Sequence, residues 1–206
     1  MLSPIKIYVV FDIETTGLKA ETNAIIEIAA CAFSNDLTDL KEYESGVMKV
    51  YDNREITQGA LDANGITREQ IAAGRDPQEV ADEFCKYLDT IRSKGKVVLV
   101  GQNSDRFDIP FLINYLELHG KDLEKYVNFD FTIDTMWWSR VKFTELTNFK
   151  LGTLCEVNGI ELVNAHRAIS DTRATKELAK KYIRSLRQES AVGETKENRY
   201  RVVFEF

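Results

Sequence analysis

The sequence predicts an α/β fold in which helices pack on a mixed five-stranded sheet. Three strand-like runs come first, joined by short polar connections as in a meander. Two shorter apolar runs follow and alternate with helical segments, an order typical of strands joined through helices. With 206 residues, one such domain buries roughly 70% of its unfolded surface and needs no disulfides.

The strands are predicted from apolar runs of suitable length. The first run, residues 5–13, is apolar enough to be buried on both faces of the sheet. The second and third strands cover residues 25–33 and 42–50. Residues 97–100 and 131–133 supply the fourth and fifth strands, which complete the predicted sheet.

Helix-start signals lie between the third and fourth strands and after them. Thr67 and Gln70 have the spacing of a capping box. Asp76 followed by Pro77 predicts a helix that runs to about residue 94. Further helices are predicted over residues 108–119, 134–142, 150–158 and 168–187.

The end of the chain carries two different signals. Residues 188–198 are polar and lack periodicity, so we expect a flexible linker. Residues 199–206 have apolar side chains at every second position, which predicts a strand. This strand either closes the protein's own surface or pairs with the sheet edge of a partner chain. The predicted organisation is a domain over residues 1–187 and a linker with a strand-like tail over 188–206.

The composition excludes several classes of protein. No apolar run approaches the ~20 residues of a membrane span, so no membrane association is expected, and the N-terminus lacks the features of a signal peptide. The three cysteines are far apart without metal-binding spacing, which favours a reducing cytoplasm. A net charge of −6 argues against a large basic surface that grips duplex DNA. Bound cations can still attract a nucleic-acid substrate locally.

Asp12 and Glu14 stand two residues apart at the end of the first predicted strand, in the stretch F-D-I-E-T-T-G. Residues with this separation on a strand point to the same face, so the two carboxylates lie side by side. Repulsion and desolvation both raise the free energy of such a pair. The pair therefore requires a compensating positive charge, either a lysine or arginine from elsewhere in the chain or a metal ion.

Two further stretches contain candidate partners for this pair. Asp108, in G-Q-N-S-D-R-F-D-I-P-F-L, follows a buried strand, where it is either a helix cap or part of a ligand site. His166 and Asp171, in H-R-A-I-S-D, precede and begin a long helix. Alone, each of these residues could be a cap or a surface group.

Together, four carboxylates from three distant segments can converge on divalent cations: Asp12, Glu14, Asp108 and Asp171. Oxygen-only ligands suit hard ions such as Mg²⁺ or Mn²⁺. Two such ions, typically ~3.5–4 Å apart, form the clamp used for in-line phosphoryl displacement. A neutral histidine such as His166 can take a proton from the attacking water.

In this order and at these separations, the three stretches resemble the motifs of the DEDDh exonucleases of the DnaQ-like family. F-D-I-E-T-T-G resembles the first motif, Q-N-S-D-R-F-D-I-P-F-L the second and H-R-A-I-S-D-T the third. A histidine five residues before the last aspartate marks the DEDDh branch; the sister branch has a tyrosine four residues before it. The resemblance covers about residues 5–185. It implies an RNase H-like fold with helices on both faces of the sheet.

The resemblance also implies a set of site residues. The catalytic and metal-binding residues would be Asp12, Glu14, Asp108 and Asp171 with two Mg²⁺ or Mn²⁺ ions, together with His166 as the proton acceptor. The residues in contact with the terminal nucleotide would be Thr15, Thr16, Gly17, Leu18, Asn103 and Phe107. For Leu18 and Phe107, burial in the core is the alternative. Four more aromatic side chains could stack on bases, although core packing is expected for most of them: Trp137, Trp138, Phe143 and Phe149.

One position departs from the family pattern. The family often has His-Asn where this chain has Gln102-Asn103. Because position 102 is not one of the metal carboxylates, we expect catalysis to persist and substrate contacts to differ.

The function that the resemblance implies is a 3′→5′ exonuclease. It would hydrolyse terminal phosphodiester bonds of DNA, preferably at single-stranded or frayed 3′ ends, and release nucleoside 5′-monophosphates in proofreading or repair. The T-T-G form of the first motif is closer to DNA proofreading exonucleases than to oligoribonucleases, so DNA is favoured over RNA. Proofreading would imply a polymerase subunit as partner, bound through the C-terminal tail. The alternatives are an exoribonuclease of the same family and a non-catalytic nucleic-acid-binding module.

Overall fold

The computed structural model describes residues 7–129, 132–163 and 165–194, with side chains through residue 188. Within these ranges the chain forms a five-stranded sheet with helices on both faces, as predicted. The predicted strand over residues 199–206 lies outside the described residues.

The sheet has the strand order β3-β2-β1-β4-β5. The strands are β1 (Ile7–Thr15), β2 (Ile25–Ser34), β3 (Asp39–Glu44), β4 (Val97–Gly101) and β5 (Ile133–Asp134). The first three form an antiparallel meander, whereas β4 is parallel to β1 and β5 is parallel to β4. The sheet is therefore mixed, and β1 lies at its centre with its carboxyl end beside that of β4.

Seven α-helices surround the sheet within the described residues. They are α1 (Gln58–Asn64), α2 (Arg68–Ala72), α3 (Pro77–Arg92), α4 (Asp108–Leu118), α5 (Thr135–Lys142), α6 (Leu151–Asn158) and α7 (Ala168–Glu194). The capping box is confirmed, since the Thr67 hydroxyl accepts from the Gln70 N–H and the Gln70 side chain accepts from the Thr67 N–H. Asp76 likewise caps α3, which begins at Pro77.

Alternate residues of β1 belong to two different parts of the core. Val9 and Phe11 pack in a cluster with the apolar faces of α3 and α4. Tyr8 and Val10 point to the opposite face and pack in a second cluster, which includes Ala179 of α7. A strand covered on both faces has to be apolar at nearly every position, which explains the continuous run in the sequence.

The third strand differs from the prediction, which placed it over residues 42–50. The strand spans Asp39–Glu44 because Ser45 and Gly46 end the pairing. The Ser45 hydroxyl accepts the hydrogen bond of the Ile28 N–H at 2.9 Å, in place of a strand carbonyl. Gly46 has φ +67°, a left-handed conformation that breaks the extended backbone, although the Met48 N–H still donates to the Ile26 carbonyl of β2 at 2.8 Å.

The last helix also differs from the prediction. α7 continues to Glu194, so residues 188–194 are helical and not part of a flexible linker. These residues contain no proline, and Gln188, Glu189 and Ala191 have good helix propensity, which allows the helix to continue. The helix crosses the predicted domain end at residue 187, and the division of the chain into domain and tail stays a prediction. No described helix combines the length and hydrophobicity of a membrane span.

Gly74 provides a test of how tightly the connection between α2 and α3 packs. A Cβ at this position would lie 2.6 Å from the backbone carbon of Met48, whereas a Cβ at Gly59 in α1 would meet nothing within 4 Å. We expect Gly74→Ala to lower the free energy of unfolding by about 1–3 kcal/mol. The control Gly59→Ala should leave it unchanged or raise it by up to about 1 kcal/mol. Urea unfolding measures both, and equal values for the two variants would contradict this packing.

Candidate active site

The first two carboxylates extend the face of β1 that points to α7. Tyr8 and Val10 occupy the buried part of that face, and the two-residue period of a strand places Asp12 and Glu14 on its continuation. Both carboxylate side chains are half-buried, while their neighbours at odd positions belong to the core. The prediction that the two carboxylates lie side by side is therefore confirmed.

Asp171, in the first turn of α7, adds a third carboxylate. One ligand oxygen from each of Asp12, Glu14 and Asp171 lies within 4.8 Å of those of the other two. Asp171 Oδ2 accepts a hydrogen bond from the backbone N–H of His166 at 3.2 Å. The other oxygen, Oδ1, is buried and has no hydrogen-bond partner among the described residues. A bound cation would satisfy such an oxygen.

Burial raises the pKa of each carboxyl group in this cluster. The pKa of Asp12 lies well above its usual range because the group is buried and because Asp108 and Glu14 repel its charge. Burial also raises the pKa of Glu14 to about 8, and the charge of Asp171 adds to the effect. Burial raises the pKa of Asp171 as well. The cluster therefore favours protonation or a bound cation over free negative charge.

A further carboxylate, Glu27, lies beside the cluster. It is directly opposite Glu14 in the β1–β2 register and is only 3% exposed. Arg167, the residue after His166, binds both oxygens of Glu27 at 3.1 and 2.6 Å. This ion pair attaches the start of α7 to β2. The sequence analysis missed Glu27, although a lone charged residue in the apolar run I-I-E-I-A-A-C-A-F was a usable signal.

The donor set fits divalent cations. Three carboxylates offer oxygen atoms only, which suits Mg²⁺ or Mn²⁺. The alternative, a compensating lysine or arginine, is not what the described residues provide, because none of them forms an ion pair with Asp12, Glu14 or Asp171. The guanidinium of Arg167 lowers the pKa of Glu14, but its hydrogen bonds go to Glu27.

Asp108 is close to the cluster but is not one of its three members. It is the first residue of α4 and is 5% exposed, and its charge contributes to the raised pKa of Asp12. Burial raises the pKa of Asp108 to about 7, although the backbone N–H of Ile13 donates a hydrogen bond to its carboxyl group. The N-cap of α4 is Phe107, so Asp108 is not the cap residue that the sequence allowed. Its role in metal binding stays a prediction.

His166 lies at the rim of the cluster. Its side chain is exposed, and together with Asp171 it lines a groove with a volume of about 790 Å³. The backbone at His166 has φ +67°, a left-handed conformation that costs roughly 1–2 kcal/mol for a residue other than glycine. The hydrogen bond to Asp171 and the ion pair of the next residue hold this conformation. The backbone of His166 is thus fixed beside Asp171.

The hydroxyl groups of Thr15 and Thr16 donate hydrogen bonds to backbone carbonyls of the protein itself. The Thr15 hydroxyl donates to the carbonyl of Gly17 at 2.7 Å, and the Thr16 hydroxyl donates to the carbonyl of Glu55 at 2.6 Å. Both side chains are buried. They shape the turn that follows β1, and their contact with a nucleotide stays a prediction.

Gly17 and Leu18 follow in this turn, with Gly17 buried and Leu18 exposed. A Cβ at Gly17 would lie 2.4 Å from Cγ of Asn23, so the turn requires glycine there. The Leu18 side chain is 83% exposed, which excludes the alternative that it belongs to the core. An exposed leucine beside a polar cluster is available to contact an apolar ligand surface.

Asn103 and Phe107 belong to the loop between β4 and α4. Asn103 is exposed with φ +61°, and its N–H donates to Asp134 Oδ1 at 2.9 Å. Phe107 is partly buried against the core, with its ring 5.0 Å from that of Phe111. Phe107 therefore packs against the core, whereas Asn103 lines the groove. Contact of either residue with a nucleotide stays a prediction.

Gln102 occupies the position that departs from the family pattern. Its side chain connects two segments of the groove. Its side-chain amide donates to the carbonyl of Phe149 at 2.8 Å, and its carbonyl accepts from the hydroxyl of Thr135. This residue fixes the segment before α6 relative to the end of β4. Its role is therefore structural support of the groove.

The four aromatic residues considered for base stacking divide into two groups. Trp138, Phe143 and Phe149 pack, partly buried, around Tyr182 and its neighbours. Trp137 is 40% exposed and lines the groove, and Phe149, although partly buried, lines the same groove. Core packing for most of the four, as expected from the sequence, is confirmed.

Comparison with known sequences places this chain among exonucleases. The family model RNase_T, described as "Exonuclease", matches residues 9–179. A DNA polymerase III PolC-type of Halalkalibacterium halodurans is 35% identical over 170 residues, which are 82% of this chain and 11% of that protein. The corresponding protein of Bacillus subtilis is 34% identical over 179 residues, 86% of this chain and 11% of that protein. The chain thus spans a small part of the length of these relatives.

Solved structures with the same fold include two of E. coli exonuclease I. The complex with a dT13 oligonucleotide has a TM-score of 0.72 at 21% identity and covers 91% of this chain and 43% of that chain. The zinc-bound complex with single-stranded DNA has a TM-score of 0.75 at 23% identity. This match covers 90% of this chain and 42% of that chain. These similarities confirm the predicted RNase H-like fold.

The raised pKa of Glu14 predicts how the metal-free protein responds to pH. In the folded chain this pKa is about 8, against an ordinary value of 4.5. Between these values the folded state binds a proton that the unfolded state releases, so the free energy of unfolding falls as the pH rises. We expect Glu14→Gln to make that fall shallower. Urea unfolding in EDTA over this pH range measures it.

The control for this measurement is Glu21→Gln, a change at an exposed position in the β1–β2 connection. Its pH dependence should run parallel to that of the unchanged protein. The interpretation is wrong if the Glu14→Gln curve is parallel as well.

Proposed function

Because the chain belongs to the RNase_T exonuclease family, we propose that it is a metal-dependent 3′→5′ exonuclease that acts on DNA. It hydrolyses the terminal phosphodiester bond at single-stranded or frayed 3′ ends and releases nucleoside 5′-monophosphates. The observation that carries this proposal is the cluster of Asp12, Glu14 and Asp171 with His166 fixed at its rim.

The family membership confirms the resemblance that the three motifs indicated. The catalytic residues carried by those motifs are proposals for this chain. Asp12, Glu14 and Asp171 hold the divalent ions, Mg²⁺ or Mn²⁺. When bound, two such ions orient the attacking water and stabilise the charge that develops on the phosphate. Asp108, buried beside Asp12, contributes through its charge and supports the orientation of that carboxylate.

The proton of the attacking water goes to His166. The imidazole of a neutral histidine accepts it as the water oxygen bonds to phosphorus and the bond to the 3′ oxygen of the preceding nucleotide breaks. The backbone hydrogen bond to Asp171 holds the residue at the groove that His166 and Asp171 line together. Removal of the imidazole should therefore affect the chemical step more than the stability of the fold.

The turn after β1 supplies the place for the terminal nucleotide. We assign the backbone of Thr15, Thr16 and Gly17 to this nucleotide, because these residues directly follow Glu14 in the stretch that resembles the first motif of the family. Leu18 contacts the last base from its exposed position. Asn103 faces the nucleotide from the opposite loop.

DNA is the substrate that the relatives favour. The similar proteins are DNA polymerases of the PolC type, and solved structures of the same fold contain single-stranded DNA. These properties belong to those proteins, and RNA remains the alternative substrate to be compared directly. A polymerase partner follows from the PolC relatives as a proposal, with the tail after residue 194 as the segment that makes the contact. The described cysteines are free thiols, which fits the cytoplasmic location that we propose.

His166→Ala tests the proposed chemistry. DNA and RNA strands labelled at the 5′ end are incubated with Mg²⁺, Mn²⁺ or EDTA. We expect stepwise shortening from the 3′ end, faster for DNA, which EDTA stops. His166→Ala should lower kcat by roughly 10²- to 10⁴-fold with little change in Tm.

The matched control is His119→Gln, which changes the other histidine of the chain. The ring of His119 lies between Tyr51 and Tyr115, away from the groove. Its activity should match that of the unchanged protein. A His166→Ala enzyme with the full rate would contradict the proton-transfer role, and faster shortening of RNA would make the chain an exoribonuclease.

A further inference from the structure

We propose that a strip of cationic and aromatic side chains binds the single strand on the 5′ side of the scissile bond. The strip consists of Arg106, Trp137, Arg140 and Phe149, with Lys150 next to it. It lies in the groove that begins at His166 and Asp171. This inference rests on the proposed exonuclease function and extends it to the part of the substrate that does not react.

The side chains of the strip contact one another in sequence. The Arg106 guanidinium lies 5.1 Å from the centroid of the Trp137 ring, and the Arg140 guanidinium lies 5.6 Å from the same ring. Arg140 is also 4.8 Å from the centroid of Phe149. Four residues from three segments, the loop before α4, α5 and the loop before α6, therefore form one continuous surface.

The charge of the groove is opposite to that of the chain. The chain carries a net charge of −6. Among the residues that line the groove, Arg106, Arg140 and Lys150 are cationic, while Asp171 is the single carboxylate. Phosphate groups of a nucleic acid bind guanidinium and ammonium groups. The groove thus provides a local attraction for a polyanion that the acidic surface elsewhere does not.

Trp137 distinguishes this surface from a simple basic patch. The indole is 40% exposed, whereas its neighbour Trp138 packs among the core side chains at the other side of α5. An exposed aromatic ring between guanidinium groups is typical of surfaces on which bases stack. Such stacking requires unpaired bases, so the occupant of the groove is a single strand and not a duplex.

The backbone that carries the strip is held in place. The Gln102 side chain bonds to the carbonyl of Phe149, and Asp134 caps α5 through the Met136 N–H at 2.9 Å. The same oxygen of Asp134 accepts from the N–H of Asn103. The position of the strip relative to the carboxylates is therefore fixed before the strand binds, which lowers the entropic cost of binding.

Substrate length tests the inference. The kcat/KM for a DNA strand of about ten nucleotides is compared with that for a dinucleotide, which reaches the carboxylates but not the whole strip. We expect Trp137→Ala and Arg140→Gln each to lower the ratio of the two values by about tenfold. The control Val141→Ala lies on the same helix, is exposed outside the groove and should keep the ratio.

A binding measurement complements the kinetics and needs no catalysis. The chain has two tryptophans and eight tyrosines, so fluorescence excited selectively at tryptophan reports on Trp137 and Trp138. Single-stranded DNA or RNA added in EDTA should quench the emission by stacking on Trp137. Trp137→Phe should remove the quenching and leave the emission of Trp138. A blunt duplex is the control, because it has no unpaired bases, and it should not quench the tryptophan emission.

The outcomes separate this inference from the proposed function. An unchanged length ratio in both strip variants, or equal quenching in Trp137→Phe, overturns the strip as the binding surface. Quenching by the duplex overturns its preference for unpaired bases. If the chain hydrolyses neither substrate, the proposed function fails, and the fluorescence alone decides the inference. Quenching lost in Trp137→Phe would then still support a single-strand-binding groove.

Discussion

Repulsion among carboxylates at the end of β1 is the constraint on which the rest of the structure depends. Asp12 and Glu14 share one face of a strand, and Asp171 approaches them from α7. Burial raises the pKa of all three groups, and repulsion adds to the effect at Asp12 and Glu14, so the folded chain is less stable when they are charged and no cation is bound. The fold tolerates this cost because its core is extensive on both faces of the same strand. A cation that binds this cluster would remove the repulsion, so metal binding would stabilise the folded state.

The fold brings the site together from segments that are far apart in the chain. β1 lies at the centre of the sheet, where β2 on one side supplies Glu27 and β4 on the other leads into the loop before Asp108. Arg167 attaches the first turn of α7 to Glu27, so one ion pair sets the position of the histidine before it and of Asp171 after it. The loop before Asp108 and α5 supply residues to the groove that His166 and Asp171 also line.

Much of this arrangement could be predicted because the relevant signals are local. Continuous apolar runs, caps and the period of two residues gave the central strands and the pairing of Asp12 with Glu14. The end of β3 could not be predicted from the sequence. It depends on the Ser45 hydroxyl, which accepts the hydrogen bond of the Ile28 N–H in place of a strand carbonyl, and these two residues lie in different segments. Glu27 was missed for a similar reason, because its partner is 140 residues away in the sequence. The strip in the groove likewise exists only after folding, as its four side chains come from three segments.

Binding of Mn²⁺ to the carboxylate cluster tests the central claim most directly. Free Mn²⁺ is followed by electron paramagnetic resonance while the chain is titrated, with the unchanged protein compared to Asp12→Asn. The account predicts about two bound ions per chain, a rise in Tm on binding, and loss of both effects in Asp12→Asn. It is contradicted if the unchanged protein binds no Mn²⁺ at millimolar concentration, or if Asp12→Asn binds the ions equally well.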